Sequence, residues 1–254
     1  MLTGTYPDDS LVYWRLKEVG FFELLDITDL HDGPPPAKSK DSGETFMKFC
    51  TGNTVLPDVA NDFVKALVNG NSIIKSVNSG QLYGAIIEAM KNATEHAYQA
   101  ATGHDVMPKR WWLAGISNPT KGEVVIVLYD QGVGIPHTLD QTLRDRMQKV
   151  AARLGARVQR ALGLPATIYD SYMIDAATKL GRTSTKRQGR GKGFQTMKKF
   201  VNNCTGGELR IYSSQGVYQY ANRAIKLRDE NVSLGGTLIE WRISHAPLTA
   251  GEKA

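Results

Sequence analysis

Glu88 and Asn92 stand four residues apart in Glu88-Ala-Met-Lys-Asn92-Ala-Thr-Glu95-His96, a stretch of helical character. At that spacing both side chains share one helix face. A carboxylate there can orient or deprotonate a water, and an amide oxygen one turn later can ligate a hard cation such as Mg²⁺. A solvated helix face has the same appearance, since short motifs match by chance. Asp130 closes an apolar strand-like run and is followed by Gln131-Gly132-Val133-Gly134-Ile135. An acceptor at a strand end beside Gly-x-Gly backbone allows a flat ligand to come close; the competing reading is a turn that needs positive φ. The third segment is Gly189-Arg-Gly191-Lys192-Gly193-Phe194, which leads into a helix. Glycines before a helix N-terminus make a nest of backbone amides for phosphate.

The glycine segment is neither of two common nucleotide loops. No Ser or Thr follows a Gly-Lys pair as a Walker A loop requires. The dinucleotide fingerprint needs a different third spacing and a strand directly before it.

Taken in order, the three segments resemble the boxes of the GHKL ATPase superfamily, which includes DNA gyrase, large heat-shock chaperones, histidine kinases and mismatch-repair MutL. The stretch 88–96 resembles the N box, 130–135 the G1 box and 189–194 the G2 box, while Gly235-Gly236-Thr237 resembles the closing Gly-Thr element. The resemblance spans about residues 80–243. It implies that Asp130 accepts the exocyclic amine of adenine, supported by Thr237 through water. It implies that Gly132 and Gly134, with Ile135 beside them, let the base approach, and that Asn92 holds Mg²⁺ against the phosphates. Glu88 would position or activate the attacking group. Gly189, Gly191 and Gly193 would carry phosphate-binding amides in a lid, with Lys192 and Phe194 at the site. His96 falls where the family often has a histidine and reads as a helix-packing residue.

Elements able to position these groups follow from periodicity. The spacing predicts helices over 11–26, with a short apolar piece at its end, and over 56–68, where Pro57 sits in the first turn. A strong helix is predicted over 81–101, with Leu82, Ala85, Ile86, Ala89, Ala93 and Ala97 as its apolar face. Strands are predicted over 45–51 and, as a hairpin, over 111–117 and 123–129. Helices follow over 138–162, 169–180 and 194–202, and strands over 208–213, 217–222 and 237–243. Helices mixed with hairpins, without regular βα alternation, argue for an α+β fold: a two-layer sandwich with helices on one face of a mostly antiparallel sheet. The resemblance makes it the Bergerat ATP-binding fold.

Composition bounds the rest. The 254 residues carry a net charge of +6, 41% hydrophobic and 22% charged residues, which excludes wholesale disorder. Two cysteines, Cys50 and Cys204, exclude a disulfide framework and a cysteine zinc module. No apolar run approaches the ~18 residues of a membrane span, and the first residues lack a basic region before an apolar stretch. The expectation is a cytoplasmic protein without a membrane partner. Residues 138–193 hold twelve Lys or Arg side chains against four Asp, a surplus of eight positive charges. The resemblance makes this stretch an ATP lid and a basic partner surface; a solvated helical face is the alternative.

The expected organisation is an N-terminal α/β region, 1–78, with a Pro-rich loop at 31–44, an ATP-binding domain at 79–245 with its basic lid at 138–193, and a tail at 246–254. The expected function is a Mg²⁺-dependent ATP-binding protein that hydrolyses ATP or transfers its phosphate to a partner protein, as an ATPase or an anti-sigma-like protein kinase. The partner would bind through the lid or the N-terminal region. A homodimer stays open. The alternative is a basic regulatory or nucleic-acid-associated protein that uses nucleotide as a structural or switching ligand, although no aromatic pattern supports nucleic acid.

Overall fold

The computed structural model of the protein describes residues 7–27, 44–69, 78–98, 109–139, 145, 169–179 and 192–244. Among these, seven strands form one antiparallel sheet in the order β1-β2-β3-β7-β4-β5-β6. The strands are β1 (Thr45–Gly52), β2 (Trp111–Asn118), β3 (Glu123–Asp130), β4 (Glu208–Ser213), β5 (Gly216–Ala221), β6 (Ala224–Asp229) and β7 (Thr237–Ser244). The helices are α1 (Ser10–Glu18), α2 (Phe21–Leu24), α3 (Pro57–Asn69), α4 (Ser79–Glu95), α5 (Ile135–Thr138), α6 (Asp170–Lys179) and α7 (Lys192–Asn202).

Period-two alternation decides which face of the sheet is covered. Val124, Ile126 and Leu128 of β3, Ile239, Trp241 and Ile243 of β7, and Leu209 and Ile211 of β4 are all buried. They form one core with Leu82, Ile86 and Met90 of α4, Phe63 and Leu67 of α3, Ile174 of α6, and Met197 and Phe200 of α7. The adjacent tryptophans divide between the two faces. Trp111 is fully buried and its indole donates to Thr54 O at 2.8 Å. Trp112 stacks on Tyr129 with ring centroids 5.8 Å apart. Further along that other face, Arg242 pairs with Glu240 and Glu123, and Arg210 with Glu208. Burying three large side chains per helix, Leu82, Ile86 and Met90 on α4 and Met197, Phe200 and Val201 on α7, at ~1.5–3 kcal/mol each is the main force holding α4 and α7 on the sheet.

Residues 44–69 belong to this same architecture. β1 pairs with β2 through a bulge between Met47 and Cys50, and α3 packs against α4. α1 opens with Asp9, whose carboxylate caps the amides of Leu11 and Val12.

Three elements differ from the sequence expectation. α4 stops at Glu95 rather than near 101, because the amides of His96 and Ala97 both return to Asn92 O, at 3.1 and 3.2 Å. β6 is an edge strand with largely exposed side chains, so no buried alternation announced it. α5 is a single turn after Gly134. Most of the predicted helix 138–162 and most of the basic lid lie outside the described residues. Among the described residues no helix is long and apolar enough to cross a membrane.

Candidate functional site

Asp130 is the last residue of β3 and continues the row of Val124, Ile126 and Leu128. The alternation that buries those three side chains therefore buries a carboxylate, leaving it 5% exposed. In the sheet register Asp130 faces Thr237 of β7, and Thr237 faces Ser213 of β4. A buried polar row thus crosses three neighbouring strands at one end of a largely apolar face. Asp130 Oδ1 accepts from Gly132 N at 2.9 Å. Burial pushes the Asp130 carboxyl up to about 6, while the backbone amides of Gly132 and Thr237 pull the other way.

Ser213 is fully buried, and its role was not visible in the sequence. Its Oγ accepts from Ile135 N at 2.8 Å and lies 2.9 Å from Thr237 Oγ1 and 3.2 Å from Gly236 O. It therefore ties the start of α5 to the start of β7. The available signal was register: Ser213 ends β4 on the same face as Leu209 and Ile211.

The glycines of the 130–135 loop have protein neighbours. Gly134 has φ +85°, and a Cβ there would come within 2.7 Å of Ser214 Oγ. A Cβ on Gly132 would overlap the backbone of Ala97. Close approach is what both glycines provide, and the partners that the structure shows are the β4–β5 turn and the chain leaving α4. Val133 N donates to Ala97 O at 2.8 Å, so the loop is stitched to the end of the helix that carries Glu88 and Asn92.

α4 is held in place by its apolar stripe and by Asn78, whose side chain caps Gln81 N at 3.0 Å. Glu88 lies on its flank and pairs with Lys91 at 2.9 Å. The hydrogen bond to Glu88 raises the Lys91 ammonium above its ordinary value. Among the described residues, Asn92 Nδ2 is buried with no hydrogen-bond partner. Facing these two residues is Gly193, in the first turn of α7. A Cβ on Gly193 would come 3.0 Å from Glu88 Oε2 and 3.8 Å from Asn92 Nδ2. Segments 100 residues apart in the chain therefore meet, and the contact admits no side chain without a shift.

Phe194, the next residue, bridges the main core and the small cluster of Leu139, Met173 and Ala177. Gly189 and Gly191 lie outside the described residues, as does the side chain of Lys192. Among the sequence-expected residues, Glu88, Asn92 and Gly193 form one contact group, and Asp130, Gly132, Gly134, Ile135 and Thr237 a second. The Ala97–Val133 bond joins the two. Chemically, the first group offers a carboxylate, an amide side chain and a helix N-terminus. The second offers a buried acceptor whose carboxyl burial pushes up to about 6.

No protein-family model matches this chain, and no curated protein matches it.

Proposed function

We propose that the chain is a Mg²⁺-dependent ATP-binding protein of the histidine kinase-like ATPase type, with the Bergerat variant of its α+β fold. The observation that carries this reading is the packing of Gly193 against Glu88 and Asn92. Two of the three separate motifs then serve one site, rather than decorating separate helices.

The residues present suit the ligand. Asn92 has a buried amide nitrogen without a partner among the described residues, as expected of a side chain whose surroundings include a further group. Its oxygen is a hard donor of the kind Mg²⁺ takes. Asp130 accepts from Gly132, and a carboxylate has about four lone-pair sites. It can accept an exocyclic amine as well. Thr237, on the neighbouring strand, supports that contact. Gly193 and the other first amides of α7 are free of intrahelical partners by helix geometry and suit phosphate. When bound, Mg-ATP supplies the transferable phosphoryl group and the charge neutralisation that the transfer needs. Glu88, 25% exposed, holds or deprotonates the attacking hydroxyl or water. A partner protein reached through the basic lid or the N-terminal region completes the proposal.

The deciding experiment is calorimetric titration of the full chain with ATP and with GTP, each with and without Mg²⁺. ATP should bind, Mg²⁺ should strengthen it, and GTP should bind at least tenfold more weakly. Guanine presents a carbonyl where adenine presents an amine, leaving Asp130 facing another acceptor. Equal affinity for the two nucleotides, or none for either, sinks the proposal.

A further inference from the structure

Tyr98 follows the last turn of α4, and its hydroxyl sits at the corner where β2 begins and β3 ends. Trp111, the first residue of β2, pairs with Asp130, the last residue of β3. The hydroxyl donates to Arg110 O, directly before β2, at 2.7 Å. It accepts from Arg110 N at 3.1 Å and from Gln131 N, directly after β3, at 3.2 Å. A phenol has one donor and two acceptor sites, so this group is fully used, and every partner is backbone. Tyr98 is buried, and burial raises its phenol above the ordinary value. It therefore keeps the proton that it gives to Arg110 O.

The loop behind Asp130 depends on this corner. The ladders of β3 with β2 and with β7 both end at Asp130, so the next three amides are satisfied elsewhere. Gln131 N donates to the Tyr98 hydroxyl, Gly132 N to Asp130 Oδ1 at 2.9 Å, and Val133 N to Ala97 O at 2.8 Å. The amide that caps the carboxylate is thus flanked by two amides anchored on consecutive residues of the chain leaving α4. That chain hangs in turn on Asn92, whose carbonyl accepts from the amides of both His96 and Ala97. Of the two anchors, only Tyr98 acts through a side chain. Gly132 gives the loop other conformations to adopt once Gln131 N is released.

Position decides recognition here. An acceptor selects a base amine only within the ~2.7–3.2 Å of a hydrogen bond, so a drift of about 1 Å in the loop removes the selection.

We propose that Tyr98 is the positioning residue of base recognition: its hydroxyl holds the 131–133 loop, and through it the Asp130 carboxylate, in the conformation that selects adenine. The ligand rests on the ATP-binding proposal, whereas the latch is a property of the free protein and can be tested there.

Tyr98→Phe keeps the ring and removes the hydroxyl. Amide hydrogen exchange of the free full chain should then speed up at least fivefold at Gln131 and Gly132. Phe63→Leu, which weakens the core from α3, should leave both amides within twofold of wild type. Calorimetry on the same proteins should show the preference for ATP over GTP reduced at least threefold in Tyr98→Phe and unchanged in Phe63→Leu. The strengthening of ATP binding by Mg²⁺ should stay within twofold of wild type in both, since Asn92 remains where α4 puts it. A tyrosine that served stability alone would behave as Phe63→Leu does in every measurement. Unchanged loop exchange in Tyr98→Phe, equal acceleration in Phe63→Leu, or an ATP preference kept at the wild-type value in Tyr98→Phe overturns the proposal. Wild type that binds neither nucleotide removes the ATP-binding proposal and base selection with it. Loop exchange alone then decides whether Tyr98 holds the Asp130 loop.

Discussion

Gly193 and Glu88 are so close that a methyl group on the glycine would stand 3.0 Å from Glu88 Oε2 and 3.4 Å from Glu88 Cβ. The carboxylate end can swing away, and 3.4 Å to Cβ is ordinary van der Waals contact. Gly193→Ala therefore displaces the Glu88 carboxylate while α4 and α7 stay packed. The fold should survive at a cost of at most about 1 kcal/mol, the low end for one methyl added to packed space. Nucleotide turnover should fall at least tenfold, because the carboxylate and the first amides of α7 lose their mutual placement. A melting curve and a phosphate-release assay on the same preparation check this. Lost stability with normal turnover would reduce the contact to packing.

On the proposed function, Glu88 separates binding from chemistry. Glu88→Gln keeps the side-chain shape and removes the base. Mg-ATP affinity should stay within about threefold, and turnover should fall by ~10²-fold or more. Asn92→Ala should do the reverse, weakening binding only when Mg²⁺ is present. Single-turnover kinetics beside calorimetry distinguish the two. Normal turnover in Glu88→Gln would remove the activating role assigned to it.

Much of this arrangement was legible in the sequence, and the reasons differ by element. β3 and β7 could be read because alternating apolar residues are buried on one face, and the same rule carried Asp130 and Thr237 to the interior. α3 was legible from Pro57 and a 3.6-residue apolar stripe. β6 was hidden because an exposed edge strand has no buried row to display. The turn at Asn222-Arg223 was hidden because its second residue is not glycine. Ser213 was invisible for another reason. Its importance lies in facing Thr237 across two strands, and no local pattern records a register. The meeting of Gly193 with Asn92 could only be suggested by the order of the motifs, since a contact over 100 residues depends on the packing of both helices.

Ser213 should be a stability residue whose loss reaches the site. Ser213→Ala leaves the half-buried Ile135 N without its acceptor and removes the partner of the buried Thr237 Oγ1. Each orphaned group costs ~1–3 kcal/mol, so urea unfolding should show a loss of about 2–4 kcal/mol. Gly134→Ala should be at least as damaging, since φ +85° and the 2.7 Å approach to Ser214 Oγ both oppose a Cβ. If Ser213→Ala unfolded at the wild-type midpoint, the junction of α5 with β7 would not depend on that hydroxyl.

Asp130 should make stability and ligand affinity respond to pH in opposite directions. Burial raises its folded-state pKa from 3.8 to about 6, so between those values the folded protein binds more protons than the unfolded chain. Stability from this group is therefore full below pH ~4 and is lost as pH rises through 6, a difference of about 3 kcal/mol at ~1.4 kcal/mol per unit. Other carboxylates titrate in the same range, so the readable quantity is wild type minus Asp130→Asn. That difference should favour the variant by about 1–3 kcal/mol at pH 7.5 and shrink towards pH 4. Asparagine gives back part of the gain because its amide hydrogens need acceptors in a buried row. Adenine needs the ionised acceptor, so ATP affinity in wild type should weaken as pH falls through about 6, and Asp130→Asn should bind weakly at every pH. The result would be a variant that is more stable and less able to bind, the trade-off expected where a buried charge is kept for a ligand. A flat stability difference from pH 4 to 7.5 would mean that Asp130 titrates normally. ATP affinity that held constant below pH 6 would mean that its charge does not face the base.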